Sequence, residues 1–334
     1  MARILITGAS GFVGFHSCMR LINNRALELV LIDSLRPLLP SRLTEVRHSK
    51  LREAGATLEI IDLETVSPSN LLKRFGRVDI VLHLAAFPGV RLSPEQEIRV
   101  LSNNSKSFDN IVKYSQLSDA RLIYASSSSI YGDQGLNGPC READIKSFTG
   151  KGAYSLSKWE NEKTAIKHFD SNSLDSLGLR FFSVFGTYGR QDMAYYKFAD
   201  QILKNEPLII FDSIADKRDY TPIELVVDDV ENLIKKLLAD PDYIRNSVSS
   251  YDDLPILNIG NGEPRSLGEL IKVYENYFGR IAMIKKEPRR IMESKQTWSN
   301  NDKRNSLLPE RATLEFTIAI EKFAKWFEES EDAE

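Results

Sequence analysis

The run Ala2-Arg-Ile-Leu-Ile-Thr7 passes directly into Gly8-Ala-Ser-Gly11-Phe-Val-Gly14, and a helical pattern extends from Phe12 to about Asn24. A β-rich run, three spaced glycines and a helix form a context in which each glycine has a physical task. Gly8 permits a tight turn, Gly11 lets a pyrophosphate approach the backbone, and Gly14 lets helix and strand pack closely. The first turn of the helix, with Phe12 and Val13, then offers its N-terminal dipole to phosphate charge. This stretch predicts a dinucleotide site at the end of a first strand.

The next segments extend that pattern. Leu29-Val-Leu-Ile-Asp33 reads as a second strand ending in an acid 19 residues after Gly14. An acid there binds the adenosine ribose hydroxyls and repels the extra phosphate of NADP, so Asp33 selects NAD, with nearby Arg36 acting weakly against it. Thr57 to Asp62 reads as a third strand whose Asp62, with Leu63, meets the adenine side. Val78 to Leu84 is a fourth, followed by Ala85-Ala86, where small residues let backbone lie against a cofactor or pack a helix. Pro94 to Leu117 is a long helix carrying Asn104, and Arg121 to Ala125 is a fifth strand that runs out into Ser126-Ser-Ser-Ser129. Strands separated by helices imply an α/β fold with a doubly wound parallel sheet of the Rossmann type, with ligands at the carboxyl ends of the strands.

Tyr154-Ser-Leu-Ser-Lys158 opens the following helix. Residues four apart share a helix face, so the phenol and the ammonium point the same way. Set opposite the serine row, they form a proton-transfer device in which the ammonium lowers the phenol's pKa and a serine of that row relays the proton. Alone, the spacing fits an ordinary surface pair equally well.

From Leu177 to Phe182 another strand leads into Ser183-Val-Phe-Gly-Thr-Tyr-Gly-Arg190. The pattern is less regular afterwards. It predicts a helix from Ala194 to Lys204, a strand from Leu208 to Phe211, a helix near Val227 to Leu238, a strand from Ile256 to Ile259, a helix from Leu267, an irregular polar loop from Arg289 to Asn305, and a last helix from Ile318 to Phe327. We divide the chain into residues 1–180, a dinucleotide-binding domain with later returns to the sheet, and 181–334, mainly a smaller mixed lobe that closes over the cleft.

The composition sets limits on function. Among 334 residues, 42% are hydrophobic and 27% charged, as in a water-exposed globular protein. A net charge of −3 gives no case for nucleic acid or a membrane surface. Cys18 and Cys140 have no metal-ligand spacing, and the four histidines do not cluster, so no metal is expected. No apolar run reaches the ~18 residues that span a bilayer, and the chain enters a strand at once, without a signal peptide. The expectation is a cytoplasmic enzyme.

Together, Thr7 to Gly14, Asp33, Asp62, His83-Leu-Ala-Ala86, Ser127, Tyr154/Lys158, Arg218-Asp-Tyr220 and Asn258-Ile-Gly-Asn-Gly262 resemble the extended short-chain dehydrogenase/reductases, in their NAD-dependent sugar-nucleotide epimerase/dehydratase branch. Within it, Gly89-Val-Arg91, Tyr124 to Gly132, Leu179 to Gly186 and Gly189-Arg-Gln-Asp-Met193 are most similar to UDP-glucuronate 4-epimerases. The resemblance implies NAD, a UDP-sugar substrate, a homodimer and 4-epimerisation through a 4-keto intermediate. Ser127, Tyr154 and Lys158 are then catalytic. Gly8, Gly11, Phe12, Val13, Gly14, Asp33, Asp62, Leu63, Leu84, Ala85, Ala86, Asn104 and Ser126 join Tyr154 and Lys158 in binding the cofactor. Arg91, Ser127, Ser128, Ser183, Arg190, Phe211 and Arg218 bind substrate. Ser128 stands where dehydratases carry an acid, which argues against loss of water. Gln191 replaces the family's usual proline, and Arg290 to Lys295 replaces its Pro-Gly-Asp-Val loop. A UDP-glucose or UDP-N-acetylhexosamine 4-epimerase, a UDP-glucuronate decarboxylase and a non-catalytic dinucleotide sensor are the alternatives.

Overall fold

Ile4 and Ile6 of the first strand, β1 (Ala2–Thr7), enter one hydrophobic core, and Leu5 between them enters another. Successive side chains of a strand point to opposite faces, so this alternation places β1 in the middle of a layered sheet. The computed structural model describes residues 1–35, 42–89, 92–249, 254–289 and 294–331. The expectations for Arg36, Arg91 and Arg290 fall outside the described residues.

The other strands are β2 (Leu27–Asp33), β3 (Leu58–Ile60), β4 (Ile80–His83), β5 (Arg121–Ser127), β6 (Ser176–Phe181), β7 (Ser183–Phe185), β8 (Leu208–Phe211), β9 (Lys217–Pro222), β10 (Ile256–Ile259), β11 (Pro264–Ser266) and β12 (Ile284–Glu287). The helices are α1 (Phe12–Leu21), α2 (Arg42–Glu53), α3 (Pro68–Phe75), α4 (Pro94–Ser118), α5 (Gly152–Asp170), α6 (Ala194–Leu203), α7 (Ile223–Ala239), α8 (Tyr243–Ser249), α9 (Leu267–Phe278), α10 (Asp302–Leu307) and α11 (Phe316–Glu331).

Seven strands form the main sheet in the order β10-β6-β5-β4-β1-β2-β3. Every pairing in it is parallel. Its cores are divided by helix: α1, α7 and α8 supply one face, while α3, α4 and α5 supply the other. The order reverses at β1, which lies between β2 and β4. Such a switch point opens a crevice beyond the carboxyl ends of the strands. The fold is thus the expected doubly wound sheet, and β10 is one of its returns.

A smaller mixed sheet, β11-β9-β7, and a parallel pair, β12-β8, make up the rest. Beside them α6, α9 and α11 bury an aromatic cluster including Phe185, Tyr195, Phe323 and Phe327. Two expectations change. The third strand ends at Ile60, because Asp62 accepts from the Glu64 and Val66 amides and turns the chain. The stretch from Arg289 to Asn305 is not wholly irregular: α10 begins at Asp302 and buries Lys303 and Arg304. Their polarity looks like that of a solvated loop, but each has a buried acceptor: the Leu254 carbonyl for Lys303, at 2.7 Å, and Asp229 for Arg304, at 2.6 Å.

Candidate active site

The first turn is shaped by steric limits. Gly8 has φ +69°, and a Cβ on it would lie 2.7 Å from the Ala85 amide nitrogen, at the end of the neighbouring β4. A Cβ on Gly14 would overlap the Gly8 carbonyl oxygen, so α1 can lie this close to the turn only with glycine there. At Gly11, the N-cap of α1, no side chain caps the helix, which leaves its first amides available to a ligand. Ser10 is fully buried, and its hydroxyl has no hydrogen-bond partner. Asp33 closes the far side: its carboxylate accepts from the Ser10 and Leu35 amides, both at 2.9 Å.

A cleft of about 220 Å³ opens from this turn. Gly8, Gly11, Phe12, Asp33, Asp62, Leu63, Leu84, Ala85 and Ala86 line it, and Arg190 reaches it from the other lobe. Uncapped amides, an orphaned hydroxyl and an acid at the ribose position fit a pyrophosphate-linked dinucleotide. Val13 and Gly14 lie behind the lining, packing α1 onto the sheet. A larger groove of about 710 Å³ runs along α9, but it contains none of the predicted residues, and its Arg265 and Arg311 are paired with carboxylates. Volume and chemistry disagree here, and the chemistry marks the smaller cleft.

Two residues expected at the cofactor have their side chains engaged by the protein itself. Asn104 is buried, and its amide is fully engaged: it accepts from Phe87 N at 2.8 Å and donates to Phe87 O at 3.1 Å and Ser157 Oγ at 3.0 Å. It faces inward on α4 and holds the loop after β4 against α5, whereas Asn103 and Ser107 line the cleft. The Ser126 hydroxyl points away from the cleft to Glu162, at 2.5 Å, because the two sides of β5 alternate.

Ser127 ends β5 at the next position, and its Oγ accepts from Ser129 N at 3.2 Å and Ser129 Oγ at 2.9 Å. The Tyr154 phenol lies close enough to Ser127 for the serine to lower its pKa. Lys158 is buried, donates to the Ala125 carbonyl at 2.8 Å, and stands 5.9 Å from the centre of the Tyr154 ring. The three groups therefore meet. Burial raises the phenol's pKa, and Arg190 and then Ser127 pull it down. Burial also pushes the Lys158 ammonium down to about 8, against the pull of Glu162 one turn along α5. The lysine is turned toward a carbonyl, and Arg190 is a second cation that acts on the phenol.

Among the expected substrate residues, Ser128 opens a 3-10 turn beside Ser127, and Ser183 begins β7. Phe211 ends β8, and Arg218 on β9 donates to the Lys217 and Lys295 carbonyls. Arg190 sits on the loop after β7 and grips Asp192 with two bonds, Nε to Oδ1 at 3.0 Å and Nη2 to Oδ2 at 2.6 Å. Arg289 is tied to Asp212 at 2.7 Å and to Asp216 at 2.9 Å.

The sequence reading passed over Arg47 and gave Asp192 and Asp219, quoted within motifs, no role of their own. Arg47 is buried beside the cleft, donating to the Ser10 carbonyl at 2.6 Å and the Tyr188 carbonyl at 2.8 Å. Burial pushes it down to about 10, with Asp33 opposing. Its signal was present: Leu43, Arg47 and Leu51 are the buried positions of α2, at helical spacing. Asp219 is fully buried and accepts from the backbone of Asn261, Gly262 and Ser299 at 2.6–3.0 Å.

The model of a family described as the NAD dependent epimerase/dehydratase family matches residues 4–260. An uncharacterised protein of Methanocaldococcus jannaschii is 31% identical, over 98% of this chain and 97% of its own. A probable UDP-glucuronate 4-epimerase of Rhizobium meliloti is 27% identical, over 98% of this chain and 97% of its own. In three dimensions, the UDP-glucuronic acid 4-epimerase of Bacillus cereus, solved with UDP-glucuronic acid and NAD, superposes with a TM-score of 0.83. It covers 98% of this chain and 99% of its own, at 24% identity, and so shows the shared fold.

Proposed function

We infer that this chain, which belongs to the NAD dependent epimerase/dehydratase family, inverts carbon 4 of a UDP-hexuronic acid, interconverting UDP-glucuronate and UDP-galacturonate. The observation that carries this reading is the Arg190 guanidinium, which lines the cofactor cleft and acts electrostatically on Tyr154. A neutral hexose needs no cation there, whereas a uronic acid does.

When bound, NAD supplies a hydride acceptor for carbon 4 and returns the hydride to the opposite face. The chain's own groups do the rest. The turn at Gly8, the α1 amides and Ser10 hold the pyrophosphate, and Asp33 holds the adenosine ribose. Tyr154 takes the proton from the 4-hydroxyl, beside or through Ser127. For that it must ionise, so its buried phenol depends on Arg190, on Ser127 and on the positive cofactor ring. Lys158 anchors the nicotinamide ribose. The lobe beyond residue 180 binds the UDP-sugar, with Arg218 on the diphosphate and Phe211 against the uracil.

The carboxylate creates a hazard. A 4-keto hexuronic acid is a β-keto acid, and it loses carbon dioxide when its carboxylate bond stands perpendicular to the ketone plane. Arg190 is the group suited to hold the carboxylate away from that geometry. The test compares Arg190→Ala with the wild type on UDP-glucuronate and UDP-glucose, following both sugars and carbon dioxide. A selective loss on UDP-glucuronate, with a pentose product appearing, is expected. An equal loss on both substrates without decarboxylation refutes the uronate reading and leaves a UDP-hexose 4-epimerase.

We further propose a cytoplasmic homodimer. Ile98 and Leu117 on α4 are exposed apolar residues that suit a partner helix, and light scattering in solution reads the assembly directly.

A further inference from the structure

An arginine head has two edges that can bind a carboxylate through parallel bonds: the side edge, Nε with one Nη, and the end edge, Nη1 with Nη2. In this protein Asp192 occupies the side edge of Arg190, through Nε at 3.0 Å and Nη2 at 2.6 Å. The backbone is fixed as well. Arg190 N donates to the Tyr195 hydroxyl at 2.9 Å, and a Cβ on Gly189 would overlap that same hydroxyl. Tyr195 itself is almost fully buried in the aromatic cluster of the second lobe. The residue is therefore held at both ends, by Tyr195 at its main chain and by Asp192 at its head.

We propose that Asp192 is a positioning residue for substrate selection: it locks the guanidinium of Arg190 so that its end edge is presented to the sugar carboxylate. The proposal rests on the uronate reading above. Its physical content is preorganisation. A free arginine side chain loses rotamer freedom when it binds a ligand, and one already held by a carboxylate does not. Both residues are about one-third exposed, so the pair sits at the wall of the cleft, within reach of a ligand. Asp192 also offsets the arginine's charge, so attraction for any anion is weakened while the shaped edge remains. Selection then depends on geometry more than on net charge. The same lock serves the hazard described above, since a carboxylate gripped by a fixed edge cannot rotate into the decarboxylating position.

The test is a cycle of four NAD-loaded proteins, wild type, Asp192→Asn, Arg190→Ala and the double variant, with Asp192→Glu as a fifth. Each is titrated with UDP-glucuronate, UDP-glucose and UDP, and carbon dioxide release is followed during turnover of UDP-glucuronate. Asp192→Asn should lower the preference for UDP-glucuronate over UDP-glucose roughly tenfold to a hundredfold, the range expected when a reacting group is displaced by about 1 Å. It should also raise the share of turnovers that release carbon dioxide. Asp192→Glu should recover part of the preference. Once Arg190 is alanine, the Asp192 change should have no further effect on that preference. Binding of UDP reports on a lobe that has simply unfolded. If Arg190→Ala is selective but Asp192→Asn leaves the preference unchanged, or weakens all three ligands equally, the positioning role is wrong and the clamp survives. If Arg190→Ala itself loses both sugars equally, the uronate reading fails and the positioning role fails with it.

Discussion

The two lobes of this protein are held together by different means. The wall of the cofactor cleft is made of backbone at the ends of consecutive strands: Gly8 after β1, Asp33 closing β2, and Ala85 after β4. The second lobe is joined by buried side chains that meet from distant parts of the chain. Asp219 on β9 accepts from Ser299, and Asp229, on α7 against the main sheet, binds both Arg304 and Arg311 from the end of the chain. A site built from local backbone tolerates much change behind it but little at its glycines. A region built from long-range side-chain bonds can be lost by removing one partner. Tyr154, Ser127 and Arg190 stand where the two constructions meet.

The largest expected effect is at that meeting point. Tyr154→Phe should lower turnover about 10²–10⁴-fold, as loss of a positioned acid/base does. NAD content should stay intact, because no part of the backbone cradle changes. Absorbance of the purified variant and its turnover rate check both halves, and retention of most activity would remove the tyrosine from the mechanism.

Next comes the second lobe's carboxylate. Asp219→Ala strands the buried Ser299 amide and the half-buried amides of Asn261 and Gly262, and should cost about 3 kcal/mol of stability. Denaturation followed with and without UDP reads this. An effect below about 1 kcal/mol would mean that the lobe does not depend on the pair-based construction described here.

Asp33→Asn is a smaller change at the backbone-built wall. It removes a charged acceptor, worth about 1.5–3 kcal/mol, from the ribose position. The preference for NAD over NADP should therefore fall roughly 10- to 100-fold, as fluorescence titration of the apoprotein would show. An unchanged preference would shift cofactor choice to another group, such as Arg47.

The smallest effect is a pH dependence beneath the same wall. His83 is buried on Thr7, with Nδ1 and Oγ1 at 2.8 Å, and burial followed by the nearby Lys158 charge brings its pKa down from 6.5 to about 3. In that interval the unfolded chain binds a proton that the folded one does not. The contribution is thus whole above pH 6.5 and is lost as pH falls toward 3, by about 1.4 kcal/mol per pH unit. Urea midpoints at pH 7 and pH 5.5 should separate, and His83→Gln should narrow the gap. An equal gap in the variant would assign the acid sensitivity elsewhere.

What the sequence disclosed follows the same division. Gly8, Gly14, Asp33 and the alternation of β1 were legible because each acts through its own backbone or through a neighbour at fixed spacing. The bonds of Asn104 to Phe87 and Ser157 were not legible, because its position on α4 identifies a face and says nothing of what the amide bonds. The action of Arg190 on Tyr154 was not legible for a related reason: helical spacing brings Lys158 near, but Arg190 arrives from 36 residues further along the chain. Lys303 and Arg304 were read as solvated because composition cannot show that Leu254 and Asp229 wait for them in the fold.

The central claim is that a uronic acid is inverted at carbon 4 with its carboxylate kept. Proton NMR of UDP-glucuronate incubated with the NAD-loaded protein in heavy water tests it most directly. The account predicts UDP-galacturonate in equilibrium with its precursor, approached from either sugar, with the original hydrogen retained at carbon 4 and no carbon dioxide formed. Deuterium at carbon 4, a UDP-pentose as the main product, or conversion of UDP-glucose while UDP-glucuronate stays untouched would contradict it.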